Sequence, residues 1–172
     1  MKFLIKKYLP EFVYGSVDGV VTTVAIITGA VGAGLSSSII LVLGLANVLA
    51  DGFSMGSSEY LSSISEAQLD SSKKGLAKNT AFAKGLATFV SFVAVGLAPV
   101  VPFLVSVLVP GFSAYGVTVS LVTAFCAFIF IGYVGARVTK TSRLTNIIRT
   151  VAVGGVAAFI SFAVGYLLRN IA

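Results

Sequence analysis

Five long apolar runs constrain this chain more than any other feature. They extend from about Phe12 or Val17 to Gly34, from Ser38 to about Leu61, from about Gly85 to Val109, from Tyr115 to Ala136 and from Thr150 to Leu168. Each lies near the ~20 residues that a helix needs to cross about 30 Å of hydrocarbon. Composition agrees: only 10% of the residues are charged, 57% are hydrophobic and the mean hydropathy is +1.03, whereas a soluble domain carries about 25% charged residues. The expectation is an all-α integral membrane protein of five transmembrane helices. It forms one transmembrane domain over 1–172, with spans about 12–34, 38–61, 85–109, 115–136 and 150–168 and a cytoplasmic loop at 62–84.

Turn signals separate the runs. Gly32-Ala33-Gly34-Leu35-Ser36-Ser37-Ser38 reads as a tight hairpin, and Pro110-Gly111 breaks the chain between the third and fourth spans. Pro99 and Pro102 fall inside the third span and predict a kink or loosened backbone bonding there. Charge sets the orientation. Lys2, Lys6 and Lys7 precede the first span; Lys73, Lys74, Lys78 and Lys84 lie between the second and third; Arg137, Lys140, Arg143 and Arg149 lie between the fourth and fifth. Only Arg169, of twelve basic residues, falls on the other side. The positive-inside rule makes the basic side cytoplasmic, giving an N-in, C-out chain. Met1 to Lys7 reads as a cytoplasmic lead-in rather than a signal peptide. With no targeting signal recognised, the plasma membrane of a prokaryotic cell is the expected location.

Several function classes drop out. The net charge of +6 sits in short clusters flanking apolar runs, and no basic segment is interleaved with aromatics, so nucleic acid is not an expected partner. Histidine is absent and Cys126 is the sole cysteine, which excludes an internal disulfide, a thiolate zinc site and histidine acid–base chemistry. Cys126, inside an apolar run, reads as a small packing residue. No serine–base or metalloprotease pattern is present, so the chain is not read as an enzyme, and no cofactor is expected.

The acidic residues carry the functional signal. All six (Glu11, Asp18, Asp51, Glu59, Glu66 and Asp70) lie in the first seventy positions. Asn47, Asp51, Met55 and Glu59 recur every fourth residue, which on a helix makes one slowly drifting stripe with about 6 Å per step. A charge placed in the bilayer costs at least ~2.5–3.5 kcal/mol on insertion scales, so such groups face a cavity, a partner or an ion. Asp51 should lie near mid-span; its alternative role is a protonated acid bonded to a neighbouring helix. Asp18 reads either as a helix N-cap or as an acid below the interface, with Thr22 one turn on able to share an ion or satisfy the carboxylate. A thioether beside carboxylates suits a borderline ion such as Fe²⁺ or Mn²⁺ better than Mg²⁺ or Ca²⁺. Glu59 sits near the cytoplasmic boundary, where an ordinary interfacial carboxylate is the plainer reading, and Asn47 is equally suited to joining helices. Gly15 and Gly19, and Gly52 and Gly56, have the GxxxG spacing that permits close helix approach or dimerisation. Glu66 and Asp70 read as a solvated face, with Asp70 and Lys74 an i,i+4 pair.

Two motifs, Tyr14-Gly15-Ser16-Val17-Asp18-Gly19-Val20-Val21-Thr22-Thr23 and Leu45-Ala46-Asn47-Val48-Leu49-Ala50-Asp51-Gly52-Phe53-Ser54-Met55-Gly56-Ser57-Ser58-Glu59-Tyr60-Leu61-Ser62, resemble signatures of the vacuolar iron transporter family. Ala87-Thr88-Phe89-Val90-Ser91-Phe92, followed by Pro99 and Pro102, is similar to that family as well. The resemblance implies a homodimer of five-helix protomers with an ion path between paired first and second helices. It implies proton-coupled export of Fe²⁺ or Mn²⁺, with Asp18, Asp51, Met55 and Glu59 along the path. The chain departs from the iron-transporting pattern in one respect. About twenty residues separate Leu61 from Gly85, with Glu66 and Asp70 their only acids and no methionine. It therefore resembles the short, nodulin-like form that lacks the cytoplasmic metal-collecting insert, and Mn²⁺ rises beside Fe²⁺ as cargo.

The expected function is thus a metal/proton antiporter. Its substrates are a divalent metal ion and protons, Asp18, Asp51, Met55 and Glu59 are its metal-binding residues, and Asn47 and Thr22 line the path. Carboxylates must lose protons to bind metal, which makes the two substrates compete. The rival readings are a passive cation channel using the same residues and a structural or regulatory membrane subunit whose buried acids only join helices.

Overall fold

The structure, a computed structural model, describes residues 8–69, 77–109 and 111–171. Lys2, Lys6, Lys7, Asp70, Lys73, Lys74 and Pro110 lie outside the described residues, and with them the lead-in and the Asp70–Lys74 pair. Among the described residues six helices follow one another: α1 Leu9–Gly32, α2 Ser37–Leu69, α3 Ala77–Gly96, α4 Val101–Leu108, α5 Ser113–Thr139 and α6 Arg143–Leu168. No strand occurs among the described residues. Five helical segments are long and apolar enough to cross a membrane: Leu9–Gly32, Ser37–Leu69, Asn79–Gly96, Ser113–Thr139 and Arg143–Leu168.

Local chemistry marks the helix ends. Pro10 stands in the first turn of α1, where its missing N–H is harmless. Gly34 takes φ +76° in the hairpin to α2, a left-handed conformation open to glycine without a Cβ penalty. The Ser142 hydroxyl accepts from Thr145 N–H at the start of α6. The start of α1 differs from expectation, and α2 extends past its apolar span through the Ser62–Leu69 stretch, whose sequence allows the helix to continue. α1 begins at Leu9, because the Pro10-Glu11 turn extends the apolar run backwards. α2 runs on to Leu69: its 33 residues amount to about 50 Å of helix, well beyond the hydrocarbon thickness.

The third run is two helices rather than one span. Leu97 to Val100 form turns, and α4 restarts with Pro102 in its first turn. Proline removes a donor and crowds the preceding turn, and hydroxyls nearby bond the backbone carbonyls of both prolines. Ser120 Oγ on α5 donates to Pro99 O at 2.6 Å and Ser106 Oγ donates to Pro102 O at 2.8 Å. Neighbouring hydroxyls thus make the break tolerable inside lipid.

Close contacts between residue pairs give the packing order. Gly15 meets Thr88 and Ser91 while Gly19 meets Phe92, so α1 and α3 run parallel. Gly56 meets Gly85, Gly52 meets Phe89 and Val93, and Gly44 meets Val100, so α2 runs antiparallel to α3 and α4. Gly29 and Gly32 meet Ser161 and Phe162, aligning α1 with α6, and Ser161 Oγ donates to Ala25 O. α5 lies antiparallel to α6 through Gly132 with Ile147 and Phe128 with Gly154. The central helix is α1, touched by α2, α3, α5 and α6. Its Val20 and Val24 pack with Ala124, Phe128 and Ile131 of α5 in the main core cluster.

These pairs also account for the GxxxG stripes. A Cβ on Gly19 would stand 2.5 Å from Phe92 O, and one on Gly56 would stand 2.8 Å from Gly85 O. The small residues of both α1 and α2 therefore admit α3 of the same chain, and are not left free for a partner. Cys126 differs from expectation too: it lies on the exposed side of α5 rather than in the packing.

Candidate functional site

The glycines that seat α3 determine where the acids point. Asp18 precedes Gly19, Asp51 precedes Gly52 and Met55 precedes Gly56. One residue turns a helix by about 100°, so with glycine against α3 the preceding side chain is carried round to the edge of the α1–α2 contact. There Asp18 and Asp51 come close enough for their charges to interact. Asn47, Asp51, Met55 and Glu59 are all half-buried, neither in the core nor fully on the outside. They form a file down α2 about 18 Å long from Asn47 to Glu59, joined on the α1 side by Asp18.

Asp18 is the tenth residue of α1, so the N-cap reading fails: the helix starts nine residues earlier. Thr22 Oγ1 donates to the backbone carbonyl of Asp18 at 2.8 Å. Its proton is thus committed to its own helix and does not satisfy the Asp18 carboxylate, while its lone pairs still face outward as acceptors. Asn47 Nδ2 is buried with no hydrogen-bond partner among the described residues. A buried amide donor in that state carries an unmet demand for an acceptor.

At the basic end of the bundle the file closes on charges from three helices. Lys84 Nζ of α3 lies 3.3 Å from Glu11 Oε1 of α1 and 3.9 Å from Glu59 Oε1 of α2. The Glu59 oxygen also accepts from Ser63 Oγ at 3.1 Å. Glu11 is only 6% exposed, and its second oxygen, Oε2, is buried without a partner. Sequence reading did not select Glu11 as a site residue and counted Lys84 only as a topology charge. A signal for Glu11 existed, because it lies seven residues before Asp18, two helical turns along the same face. Nothing comparable marks Lys84, whose role depends on how α3 docks.

The four anticipated metal residues are therefore arranged in series. Asp18 and Asp51 stand on the neighbouring helices α1 and α2; Met55 stands one turn below Asp51; Glu59 belongs to the Glu11–Lys84 cluster. No group of three or more acidic, histidine or cysteine side chains converges among the described residues. Three surface grooves of about 480 to 520 Å³ are lined mainly by apolar side chains, and none is lined by a residue of the file.

Comparison with known proteins adds a second line. A family profile described as the VIT family matches residues 9–78 and 67–166. A protein named vacuolar iron transporter from Toxoplasma gondii is 51% identical over 59 residues, covering 34% of this chain and 20% of that protein. One of the same name from Plasmodium berghei is 42% identical over 67 residues, 39% of this chain and 24% of the relative. The Plasmodium falciparum counterpart is 40% identical over 63 residues, 37% of this chain and 23% of the relative. The matched segments thus span a fifth to a quarter of the length of these curated relatives.

Proposed function

Since the chain belongs to the VIT family, we propose that it exports a divalent transition metal, Fe²⁺ or Mn²⁺, from the cytosol in exchange for protons. The observation that carries this reading is the presence of half-buried Asp18 and Asp51 on two apolar helices that touch. Two like charges brought together in a membrane are costly unless a cation or protons offset them. Metal and protons then compete for the same oxygens, which is the condition for antiport. Met55 supplies a soft donor one turn from Asp51 that favours a transition metal over Mg²⁺ or Ca²⁺. Glu59 receives the ion at the basic end, and Asn47 and Thr22 line the route.

In this reading the basic end faces the cytosol by the positive-inside rule, making the chain N-in and C-out. A second copy covers the α1–α2 edge, where half-buried acids would otherwise meet lipid. The relatives named above are eukaryotic proteins named for the vacuole. They lend no support to the prokaryotic plasma membrane; a vacuolar membrane would place the same end in the cytosol.

The test is reconstitution into liposomes with the basic end outward, following Mn²⁺ and Fe²⁺ uptake with and without an imposed proton gradient. Uptake that accelerates when the lumen is acid, and falls at least tenfold in Asp51→Asn at unchanged folding, is the expected result. Flux indifferent to the gradient would convert the carrier into a channel, and absence of metal flux would end the reading.

A further inference from the structure

Lys84 sits where an entering cation has to go. Its ammonium bridges a buried carboxylate, Glu11, and a half-buried one, Glu59, at 3.3 and 3.9 Å. The position is held from below. Gly85 packs against Gly56 so closely that a Cβ on it would stand 2.5 Å from Gly56 O, and Gly56 is one turn before Glu59. Backbone contact between α2 and α3 thereby places the lysine stem beside the glutamate. The side chain is nevertheless 32% exposed, against 6% for Glu11, so the ammonium has a way out to water on its flexible four-carbon stem. Among the described residues one ammonium faces the two carboxylates, and Glu11 Oε2 has no hydrogen-bond partner.

We propose that Lys84 is a tethered cation that occupies the metal-entry position at Glu59 and must withdraw before a metal ion can engage it. Lys84 is a gating and affinity-setting residue for the cargo, not a ligand. The inference rests on the transport reading above. The bound ammonium competes with metal for Glu59, so it lowers apparent affinity at the cytosolic mouth. It also keeps Glu11 from being a lone buried charge when no metal is present.

Competition and scaffolding make opposite predictions. Lys84→Gln leaves Glu11 unpaired and risks misfolding, so the informative protein is the double variant Glu11→Gln with Lys84→Gln, which removes the buried charge and the ammonium together. Mn²⁺ is the probe, measured by calorimetric titration of purified protein and by the concentration dependence of uptake into liposomes. The double variant should half-saturate at about two- to fivefold lower Mn²⁺, the equivalent of a partly exposed ion pair. Lys84→Arg keeps a cation in place and should half-saturate near the wild-type concentration. An unchanged or raised half-saturation in a folded double variant overturns the proposal and leaves Lys84 a structural counter-ion. A wild-type protein that neither binds nor moves Mn²⁺ or Fe²⁺ overturns the transport reading itself, a result distinguishable from the first.

Discussion

Asp18 and Asp51 are each followed by a glycine, and the pairing is informative. The glycine lets α3 touch the helix backbone, and the acid is thereby turned to the α1–α2 edge beside its counterpart. If the proposed transport reading holds, the two carboxylates repel one another in the metal-free protein and are relieved when a divalent ion binds. Removing either charge should therefore stabilise the metal-free state and abolish the metal's stabilising effect. Thermal unfolding in detergent should show Asp18→Asn and Asp51→Asn melting at or above the wild type without metal. Each 1 kcal/mol of relief corresponds to roughly 2–4 °C for a chain of this size. Added Mn²⁺ should then raise the midpoint of the wild type alone. A metal-dependent rise of equal size in Asp51→Asn would show that these carboxylates do not hold the ion.

At the scale of helices, the bundle depends on a few places where backbones touch. Gly56 of α2 stands against Gly85 and Phe89, with a Cβ predicted to fall 2.8 Å from the Gly85 carbonyl and 2.9 Å from Phe89 Cβ. A Cβ on Gly155 of α6 would meet nothing within 4 Å beyond its own helix. Gly56→Ala should lower stability by about 1–3 kcal/mol, the usual cost of overpacking, while Gly155→Ala should leave it unchanged or raise it by up to about 1 kcal/mol. Parallel denaturation curves decide this, and equal effects at the two sites would mean that α3 does not dock as described. The same contacts mark the limit of what was legible in the chain. The five apolar runs were readable because hydropathy is a local property. The division of the third run was half-readable, since Pro99 and Pro102 announce a disturbance but not that Ser120, twenty-one residues away, accommodates it. The glycine stripes were visible yet open to two uses, and only the docking of α3 assigns them to the interior of the protomer. The pairing of Glu11 with Lys84 was hidden for the same reason, although Glu11 itself falls in register with Asp18: an ion pair between α1 and α3 is a fact of tertiary packing.

For the whole molecule, the unevenness of burial bears on assembly. α6 contributes only Gly154 to the buried set and shows an apolar outer face, with Phe159 73% exposed, as suits a helix facing acyl chains. The side of α1 and α2 that carries the acids is different, because half-buried Asp18 and Asp51 lie there, with exposed Tyr14 one turn before Asp18. Acyl chains satisfy the first kind of surface and not the second. A two-fold axis beside this edge would bring the carboxylates of two copies round one enclosed path, with each copy presenting the same patch to the other. Tyr14 lies one turn before Asp18 on the same face of α1 and should fall near that axis. In a Cys126→Ala background, Tyr14→Cys should form a disulfide-linked dimer under mild oxidation in membranes, and Phe159→Cys should stay monomeric. The cross-link requires Cα atoms within about 7 Å, so it reports a specific interface rather than crowding. Under the proposed transport reading, bound Mn²⁺ should change its rate, because the ion and the second copy would then meet the same carboxylates. Efficient cross-linking through Phe159 with none through Tyr14 would move the interface to α6 and leave the acid file facing lipid, an arrangement in which it could not conduct an ion.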